Sequence, residues 1–372
     1  MLSYWEKKYF LSDVDYCIIG SGIVGLTTAI FIKKKAPKAK VIILERGILP
    51  HGASTKNAGF ACFGSFSEIL DDISKHNLDY AINLVEKRWD GLNALKKLIP
   101  EKHFDLKNYG GYELFTSSKH DQNVYEHCLD NLSNINKNLS FIGKNVFDSS
   151  DKSIKKFDFS NTQHIIKNNY EAQINTGKLA LSLLQKAHDL GILILNNVEV
   201  KTLSNNGEMT TNIGDFAFKK VIVCTNGFAK KLLPKLDVNP ARAQVLITKP
   251  VKNLKLKGTF HYDKGYYYFR NIDNRVLFGG GRNLDFKGET TDELALTKQI
   301  QQQLERLLKE VILPNTPHEV DMRWAGIMGV GDSKETIIKS LSKNIFCAVR
   351  MGGMGVAIGT LVGKEAAKMV TK

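Results

Sequence analysis

The strongest constraint on the fold of this chain is a glycine pattern close to its N-terminus. The segment Gly20–Gly25 reads GSGIVG and therefore matches GxGxxG. It follows the apolar run Asp15–Gly20 and opens the helical pattern Ile23–Lys35. A second apolar run, Val41–Leu44, comes next and ends at Glu45. Because short apolar runs that end at glycine or an acidic residue are typical of buried strands, the segment predicts a β-α-β unit of about 30 residues.

This unit has the features of a dinucleotide-binding fingerprint. Gly20 permits a tight turn, Gly22 lets the backbone approach a pyrophosphate, and Gly25 lets the helix pack closely on the strand. The free N–H groups at the helix N-terminus attract phosphate. Glu45 follows Gly25 by 20 residues, a spacing at which a carboxylate accepts hydrogen bonds from a ribose diol. The fingerprint alone fits both NAD and FAD.

The loop after Glu45 favours FAD. Arg46 and Gly47 lead into residues 52–59, GASTKNAG, a long polar stretch of small residues. Small residues with free N–H groups suit close packing against a second, extended part of a cofactor. A simple NAD domain would instead continue into its next crossover helix.

The remaining patterns predict an α/β chain whose two ends belong to the nucleotide fold and whose middle is rich in strands. Helices are predicted at Ser67–Ile99, Asn175–Leu190, Asp292–Leu308 and Val356–Val370. Strands are predicted at Val198–Leu203, Lys220–Thr225, Gln244–Lys249, Gly265–Arg270, Arg275–Gly280 and Ile345–Val349. Asp273-Asn274 predicts a hairpin turn. Asn131–Asn169 is rich in Asn, Lys and Ser and is predicted to be loop-rich surface.

The net charge of +14 raises the question of an anionic partner. Only 9 of the 52 basic residues are arginine, and the lysines are spread along the whole chain. Phosphate and base recognition favour arginine forks, so the composition argues against nucleic acid as a partner. The oligomeric state is left open by the sequence.

The cysteines and the apolar segments indicate the compartment. None of the five cysteines (Cys17, Cys62, Cys128, Cys224 and Cys347) forms a CxxC pair, which predicts buried free thiols in a reducing environment. No apolar run has the roughly 18 residues that a membrane span needs. The first 15 residues lack the apolar core of a signal peptide. We therefore expect a cytoplasmic protein with no membrane span.

Several segments, taken in order, resemble the D-amino-acid oxidase superfamily of flavoproteins, which includes glycine oxidase, sarcosine oxidase and γ-glutamylputrescine oxidase. Beyond Gly20–Gly25 with Glu45-Arg46, they are Gly52–Gly59, Thr176–Leu179, Val223–Gly227, Gly265–Tyr268, Gly279–Arg282, Trp324–Gly326 and Arg350–Gly355. Together they span nearly the whole chain. They are specific to the superfamily and not to one substrate.

The resemblance implies a Rossmann-like FAD-binding domain and a discontinuous substrate domain built on an antiparallel sheet. It assigns residues 1–85, 170–230 and 320–372 to the first domain, and 86–169 and 231–319 to the second. The cofactor-binding residues expected from the fingerprint and the resemblance are Gly20, Gly22, Ile23, Val24, Gly25, Glu45, Arg46, Ala53, Ser54, Asn57, Ala58, Gly59, Val198, Thr225, Asn226, Gly227, Gly326, Arg350, Gly352, Gly353, Met354, Gly355 and Val356. The glycines near residue 353 also lie between a strand and a helix, where converging N–H groups stabilise negative charge on a reduced flavin.

The resemblance also implies the reaction, which is oxidation of a C–N bond in a small amine or amino-acid-like substrate by hydride transfer to flavin N5. Members that bind FAD covalently carry a histidine in the loop that corresponds to Thr55–Asn57, or a cysteine near Trp324–Gly331. This chain has neither, so we expect non-covalent FAD. No HExxH, GxSxG or clustered metal ligands occur, and no metal is expected.

The residues that contact substrate are less constrained. Alternate residues of a strand face opposite sides, so either Tyr267 or the pair Tyr266 and Tyr268 faces the flavin. Arg323, Arg282 and Arg350 are candidates for binding a substrate carboxylate. Met328 stands where glycine-oxidase-like members have the carboxylate-binding arginine, and a thioether cannot pair with a carboxylate. The substrate is therefore either an amine or an acid held by another arginine.

Three alternatives remain at this stage. One is a tRNA-modifying FAD oxidase of the same superfamily, which the positive charge suggests. Another is a flavin-binding module without catalytic activity. Within the enzyme hypothesis, oxidase and dehydrogenase are not distinguished, and Lys249 or Lys334 is a candidate for the positive charge that promotes reaction with oxygen.

Overall fold

A computed structural model describes residues 2–372 of the protein. Its strands are β1 (Tyr16–Ile19), β2 (Val41–Leu44), β3 (Phe60–Ala61), β4 (Gly111–Thr116), β5 (Phe147–Ser149), β6 (Thr162–Asn168), β7 (Ala172–Gln173), β8 (Leu193–Leu195), β9 (Val200–Leu203), β10 (Glu208–Thr211), β11 (Gly214–Ala217), β12 (Val221–Val223), β13 (Asn239–Thr248), β14 (Thr259–Tyr262), β15 (Tyr267–Ile272), β16 (Arg275–Gly280), β17 (Val320–Val330), β18 (Ile337–Ser340) and β19 (Ile345–Val349). Its helices are α1 (Tyr4–Glu6), α2 (Ile23–Lys35), α3 (Ala53–Lys56), α4 (Phe66–Lys75), α5 (Leu78–Leu98), α6 (Lys119–Asn138), α7 (Lys152–Phe157), α8 (Thr176–Asp189), α9 (Lys298–Leu307) and α10 (Gly355–Val370).

The first sheet has the strand order β18-β19-β12-β1-β2-β8. Its strands are parallel except at the edge, where β18 runs antiparallel to β19. Strands β2, β12 and β19 are buried at every position, as expected for a parallel sheet covered on both faces. The β-α-β unit predicted from the sequence is confirmed by β1, α2 and β2.

Helices α2, α5, α8 and α10 contribute apolar side chains to one core of this sheet. Glycines allow the helices to approach closely. A Cβ added at Gly363 would lie 2.0 Å from Thr27 Oγ1, and one at Gly91 would lie 2.2 Å from the Ala357 carbonyl oxygen. Helix α5 is continuous from Leu78 to Leu98, so the predicted domain boundary at residue 86 falls inside it. Its residues Leu92, Leu95 and Leu98 pack into this core.

The second sheet has the strand order β17-β13-β16-β15-β14-β4-β6-β5. All of its neighbours are antiparallel except β14 and β4. Strand β17 pairs with β13 from Val320 to Val330, so these residues belong to the antiparallel sheet. The sequence-based division had assigned them to the FAD-binding domain.

The two faces of this sheet have different roles. Tyr267, Phe269, Phe260 and Phe278 are buried against α9 on one face. On the other face, strand pairing aligns Glu113, His261, Tyr268 and Gly279 in one row across four strands, because directly paired residues project from the same side of a sheet. This second face is turned towards the nucleotide-fold layer.

Local signals located some elements well and others poorly. The hairpin at Asp273-Asn274 is confirmed, with φ of 49° and 58° at the two residues, as a two-residue type I′ turn requires. The long helix predicted at Ser67–Ile99 is two helices, because Asn77 caps a new N-terminus by accepting a hydrogen bond from the Tyr80 N–H. The prediction for Asn131–Asn169 was wrong, since α6, α7, β5 and β6 occupy much of this stretch.

The predicted state of the cysteines is confirmed, since all five are free and buried. No helix formed by residues 2–372 combines the length and the apolar character that crossing a membrane requires.

A buried ion pair beside the second sheet provides a test of the fold. Arg242 donates from Nε and Nη2 to the two carboxylate oxygens of Glu289 at 2.9 and 2.8 Å. Glu289→Ala would leave a buried guanidinium without its counter-ion, so we expect a loss of about 3 kcal/mol in the free energy of unfolding. Chemical denaturation followed by circular dichroism measures this loss. Glu319→Ala, which breaks an exposed pair with Lys249, is expected to change stability far less, and equal effects would contradict the argument.

Candidate functional site

A cavity of about 510 Å³ connects the glycine pattern of the first sheet with the open face of the second sheet. Of the residues proposed from the sequence, these line it: Gly20, Gly22, Ile23, Val24, Glu45, Arg46, Ala53, Ser54, Asn57, Ala58, Gly59, Val198, Thr225, Asn226, Tyr266, Tyr268, Gly326, Met328, Gly352, Gly353, Met354, Gly355 and Val356. Gly25, Gly227, Arg323 and Arg350 do not line it. The cavity therefore joins residues that lie far apart in the sequence.

One end of the cavity is formed by the start of α2. Gly20 has φ of +102°, which favours glycine, and the turn ends at Gly22 in extended conformation. Gly22 offers no side chain to cap the helix, and the Ile23 N–H donates to Ser54 Oγ at 2.9 Å. A Cβ at Gly25 would lie 1.9 Å from the Gly20 carbonyl oxygen, so Gly25 serves packing and not the cavity surface.

Glu45 is held rigidly at the end of β2. Its Oε2 accepts from the Ser21 N–H at 2.9 Å and from Ser21 Oγ at 2.7 Å, and its Oε1 accepts from the Gly47 N–H at 3.0 Å. The Val198 N–H donates to the Glu45 carbonyl oxygen at 2.9 Å, which brings Val198 to the cavity wall. The Arg46 guanidinium lies 3.8 Å from the centre of the Phe228 ring.

The small-residue loop is tied to the second sheet. Asn57 donates from Nδ2 to the carbonyl oxygens of Ala53 and Ser54, and the Gly59 N–H donates to Asn57 Oδ1 at 2.8 Å. Arg270 Nη1 donates to the Gly59 carbonyl oxygen at 2.8 Å. Trp324 Nε1 donates to the Lys56 carbonyl oxygen at 2.9 Å. These bonds hold the loop between the two layers.

The C-terminal glycines form a second cradle at the start of α10. Gly352 and Gly353 have φ of +56° and +83°. Asn226 Oδ1 accepts from the N–H groups of Arg350 and Met351, which fixes the turn against β12. Thr225, the residue before Asn226, has a buried Oγ1 without a hydrogen-bond partner among residues 2–372.

Gly227 and Arg350, which were predicted to bind the cofactor, make packing and pairing contacts and do not line the cavity. A Cβ at Gly227 would lie 2.3 Å from the Met328 carbonyl oxygen, so this glycine permits close packing of the chain. Arg350 pairs with Asp237 and donates from Nη2 to Ser333 Oγ at 3.1 Å, which turns its guanidinium away from the cavity.

The open face of the second sheet supplies the other end of the cavity. Tyr266 and Tyr268 line it, whereas Tyr267 is buried on the opposite face. Burial raises the pKa of Tyr268 to about 12, so its phenol stays protonated near neutral pH. Met328 also lines the cavity, and a Cβ at Gly353 would lie 3.3 Å from its sulfur atom.

Arg282 lines this end of the cavity and forms no salt bridge with a carboxylate of residues 2–372. Its Nε is buried without a hydrogen-bond partner among the described residues, and its guanidinium lies 5.0 Å from the centre of the Phe286 ring. Arg323, which was expected to contact substrate, does not line the cavity. It donates to Gln301 Oε1 and Glu305 Oε1 at 2.6 Å each, because its side chain is turned towards α9.

The structure adds a buried polar cluster that the sequence analysis missed. His261 Nε2 lies 2.6 Å from Glu171 Oε1, both residues are buried, and His261 lines the cavity. Lys334 also lines the cavity and contacts Glu68 Oε1 at 2.9 Å, whereas Lys249 pairs with Glu319 away from it. His261 and Glu171 are 90 residues apart, so no local pattern could have linked them.

Metal binding has no support in the part of the chain that the structure describes. Within residues 2–372, no group of three or more His, Cys, Asp or Glu side chains is arranged to hold a metal ion. The arrangement instead combines two cradles of backbone N–H groups with one aromatic chamber that contains a free cationic side chain.

Comparison with known proteins agrees with this arrangement. The sequence model of the DAO family, described as FAD dependent oxidoreductase, matches residues 15–369. Probable oxidoreductase OrdL of Haemophilus influenzae is 23% identical, over 97% of this chain and 83% of its own length. L-proline dehydrogenase from P. horikoshii has a TM-score of 0.76 at 18% identity, covering 97% of this chain and 94% of that chain. Glycine oxidase from Bacillus cereus has a TM-score of 0.76 at 16% identity, covering 96% and 95%. The chain belongs to the DAO family of FAD-dependent oxidoreductases.

Proposed function

We propose that the protein oxidises a C–N bond in a small amine that carries a carboxylate. The observation that carries this proposal is the cavity itself. It runs from the α2 cradle to a chamber lined by Tyr266 and Tyr268, where Arg282 has no carboxylate partner among residues 2–372. Bound FAD would accept a hydride at N5 from the carbon that bears the amine, and the resulting imine would hydrolyse.

The residues that would hold FAD follow from the two cradles. The α2 N-terminus offers free N–H groups to the pyrophosphate, and Gly22 leaves room for it. Glu45 is positioned for the ribose, beside Val198. The second cradle would offer the Gly353 N–H to the negative charge of a reduced flavin, whereas the Gly352 N–H donates to the Gly329 carbonyl oxygen. The buried Thr225 hydroxyl has no partner among residues 2–372 and would gain one from a bound cofactor.

The attachment of FAD is proposed to be non-covalent. Two cysteines, Cys62 and Cys224, line the cavity, and they are the residues to consider for a covalent bond. Burial raises the pKa of Cys224 to about 12. Burial, with the nearby Glu171 and Glu68, raises the pKa of Cys62 well above its ordinary value. Because the thiolate is the nucleophile, a thiol that stays protonated is unreactive.

The anchor for the substrate carboxylate is proposed to be Arg282. Met328 carries no charge at the position where similar enzymes use arginine, Arg323 is held at α9, and Arg350 pairs with Asp237. Arg282 remains in the cavity without a carboxylate, beside Tyr266. A guanidinium binds a carboxylate through two parallel hydrogen bonds, which also fixes the orientation of the substrate.

The test is flavin reduction in the purified holoenzyme under anaerobic conditions. A separate sample is denatured by acid or heat, and release of FAD is the result expected for non-covalent attachment. Glycine, D-alanine, L-proline and iminodiacetate are then compared with putrescine, an amine without a carboxylate. We expect the flavin absorbance at ~450 nm to fall with at least one carboxylate-bearing amine and not with putrescine. If no amine reduces the flavin, the proposal is contradicted. If putrescine alone reduces it, Arg282 does not hold a substrate carboxylate.

A further inference from the structure

His261 is a buried base in the wall of the cavity. It lies on β14, opposite Tyr268 of β15, and both side chains line the cavity. Its Nε2 is 2.6 Å from Glu171 Oε1. The edge of its ring packs on Phe60, with ring centres 5.3 Å apart. The imidazole is therefore held in one orientation on the face of the sheet that forms the chamber.

Glu171 depends on His261 for charge compensation. It is 1% exposed, and its Oε2 has no hydrogen-bond partner in the part of the chain that the structure describes. Its salt bridge within residues 2–372 is the one to His261, with no lysine or arginine contact. A buried carboxylate in this position favours a proton on the neighbouring imidazole, because the ion pair removes an uncompensated charge.

The other charged groups around His261 act in the same direction. Glu113 faces it from β4 and accepts hydrogen bonds from Ser65 and Ser67. Glu68 approaches from α4. Burial alone would lower the pKa of His261, but Glu171, with Glu113 and Glu68, outweighs burial and raises it above its ordinary value.

Other cavity side chains are poor proton acceptors. Burial opposes the ionised form of Glu68, but Lys334 and Arg88 lower its pKa to about 2. Asp71 is held between Lys75 and Lys264. The Tyr268 phenol and the Cys62 thiol are already protonated near neutral pH, because their pKa values are raised.

We propose that His261, oriented by Glu171, removes a proton from the ammonium group of the substrate before the C–N bond is oxidised. This inference rests on the proposed function. The N–H bond breaks, its electron pair stays on the substrate nitrogen, and the proton binds His261 Nδ1 while Nε2–H donates to Glu171. Aliphatic amines are ammonium ions near neutral pH, and a carbon can release hydride only when the neighbouring nitrogen has a free electron pair.

The first measurement needs no substrate. Histidine ¹⁵N signals of the labelled holoenzyme are followed from pH 5 to 9, and His261→Asn identifies the signal of interest. We expect the pKa of His261 to lie above the usual value of about 6.5 and to fall in Glu171→Gln. A pKa at or below that value in the native enzyme would overturn the inference.

The second measurement uses the amine that reduces the flavin in the anaerobic panel. Neutral His261 is the proton acceptor, so the rate of flavin reduction at limiting amine rises with pH and levels off above the raised pKa. In His261→Asn the rate is expected to fall about 10²-fold at pH 7.5. In this variant the rate should continue to rise towards pH 9, in proportion to the fraction of the amine that is unprotonated. In Glu171→Gln, the increase of the rate with pH should occur at lower pH than in the native enzyme.

A matched control distinguishes a chemical role from a structural one. His164→Asn removes a histidine from another His–carboxylate pair, with Asp151, which lies outside the cavity. Its rate and pH profile should equal those of the native enzyme, and FAD content and melting temperature are compared for all variants. If no amine reduces the flavin of the native enzyme, the proposed function fails and the inference falls with it. If reduction occurs and His261→Asn keeps the native rate and pH profile, the inference alone is overturned.

Discussion

Gly25→Ala is expected to yield protein without bound FAD. The added methyl group would lie 1.9 Å from the Gly20 carbonyl oxygen and 3.2 Å from Ile18 Cγ2. Neither the backbone of the turn nor the buried strand β1 can move aside by a change of rotamer. Helix α2 must therefore shift away from the strand, and the N–H groups at its N-terminus lose their alignment.

The expected loss of stability is about 3 kcal/mol, at the upper end of what overpacking usually causes. FAD content is measured from the ratio of flavin to protein absorbance, before and after adding free FAD, and stability from thermal unfolding. Gly177→Ala is the control, because Gly177 is exposed in α8 and its nearest neighbour would lie 3.4 Å from the new Cβ. Native FAD content in Gly25→Ala would show that the close contact between helix and strand is not needed.

Arg282→Met is expected to retain FAD and to lose activity towards carboxylate substrates. Removing one partner of a charge-assisted contact in a desolvated chamber typically removes about 3 kcal/mol of binding. We therefore expect kcat/KM for a carboxylate-bearing amine to fall by about two orders of magnitude. The flavin spectrum should not change, because the guanidinium forms no hydrogen bond to the residues of either cradle.

Arg323→Met removes the same charge from a side chain that is held at α9, so it is the matched control for Arg282→Met. It should leave kcat/KM near the native value. Steady-state kinetics with one carboxylate-bearing amine compares the two variants directly. Equal losses in both would indicate a general effect of charge on the enzyme, and a loss in Arg323→Met alone would refute the choice of anchor.

The phosphate end of the site was predictable because its chemistry is local. Gly20, Gly22 and Glu45 belong to one continuous β-α-β unit, and the turn, the helix N-terminus and the strand end follow from neighbouring residues. The substrate end was predictable only as a set of alternatives. Sequence order gives the alternation of Tyr266, Tyr267 and Tyr268, but only the packing of α9 determines which face is buried.

Two features of the fold differ from what the sequence patterns suggested, and each difference has a physical reason. Helix α6 was overlooked because its many asparagines favour turns, yet Tyr125, Cys128, Leu132 and Ile135 recur at helical spacing and pack into one core. Strand β17 begins at the predicted boundary of residue 320 yet lies in the antiparallel sheet, because it pairs with the distant strand β13, and no local pattern links the two. The pair of His261 with Glu171 is likewise a product of tertiary structure.

Side chains alternate between the two faces of the sheet along β15 and the residue before it, which has a consequence for how the substrate range can change in evolution. Tyr266, directly before β15, and Tyr268 within it line the chamber, while Tyr267 and Phe269 hold the sheet against α9. Substitutions at the first pair alter what the chamber accepts and leave the core intact, whereas substitutions at the second pair endanger folding. Substitutions that change the substrate range without loss of stability should therefore occur at every second residue of this segment.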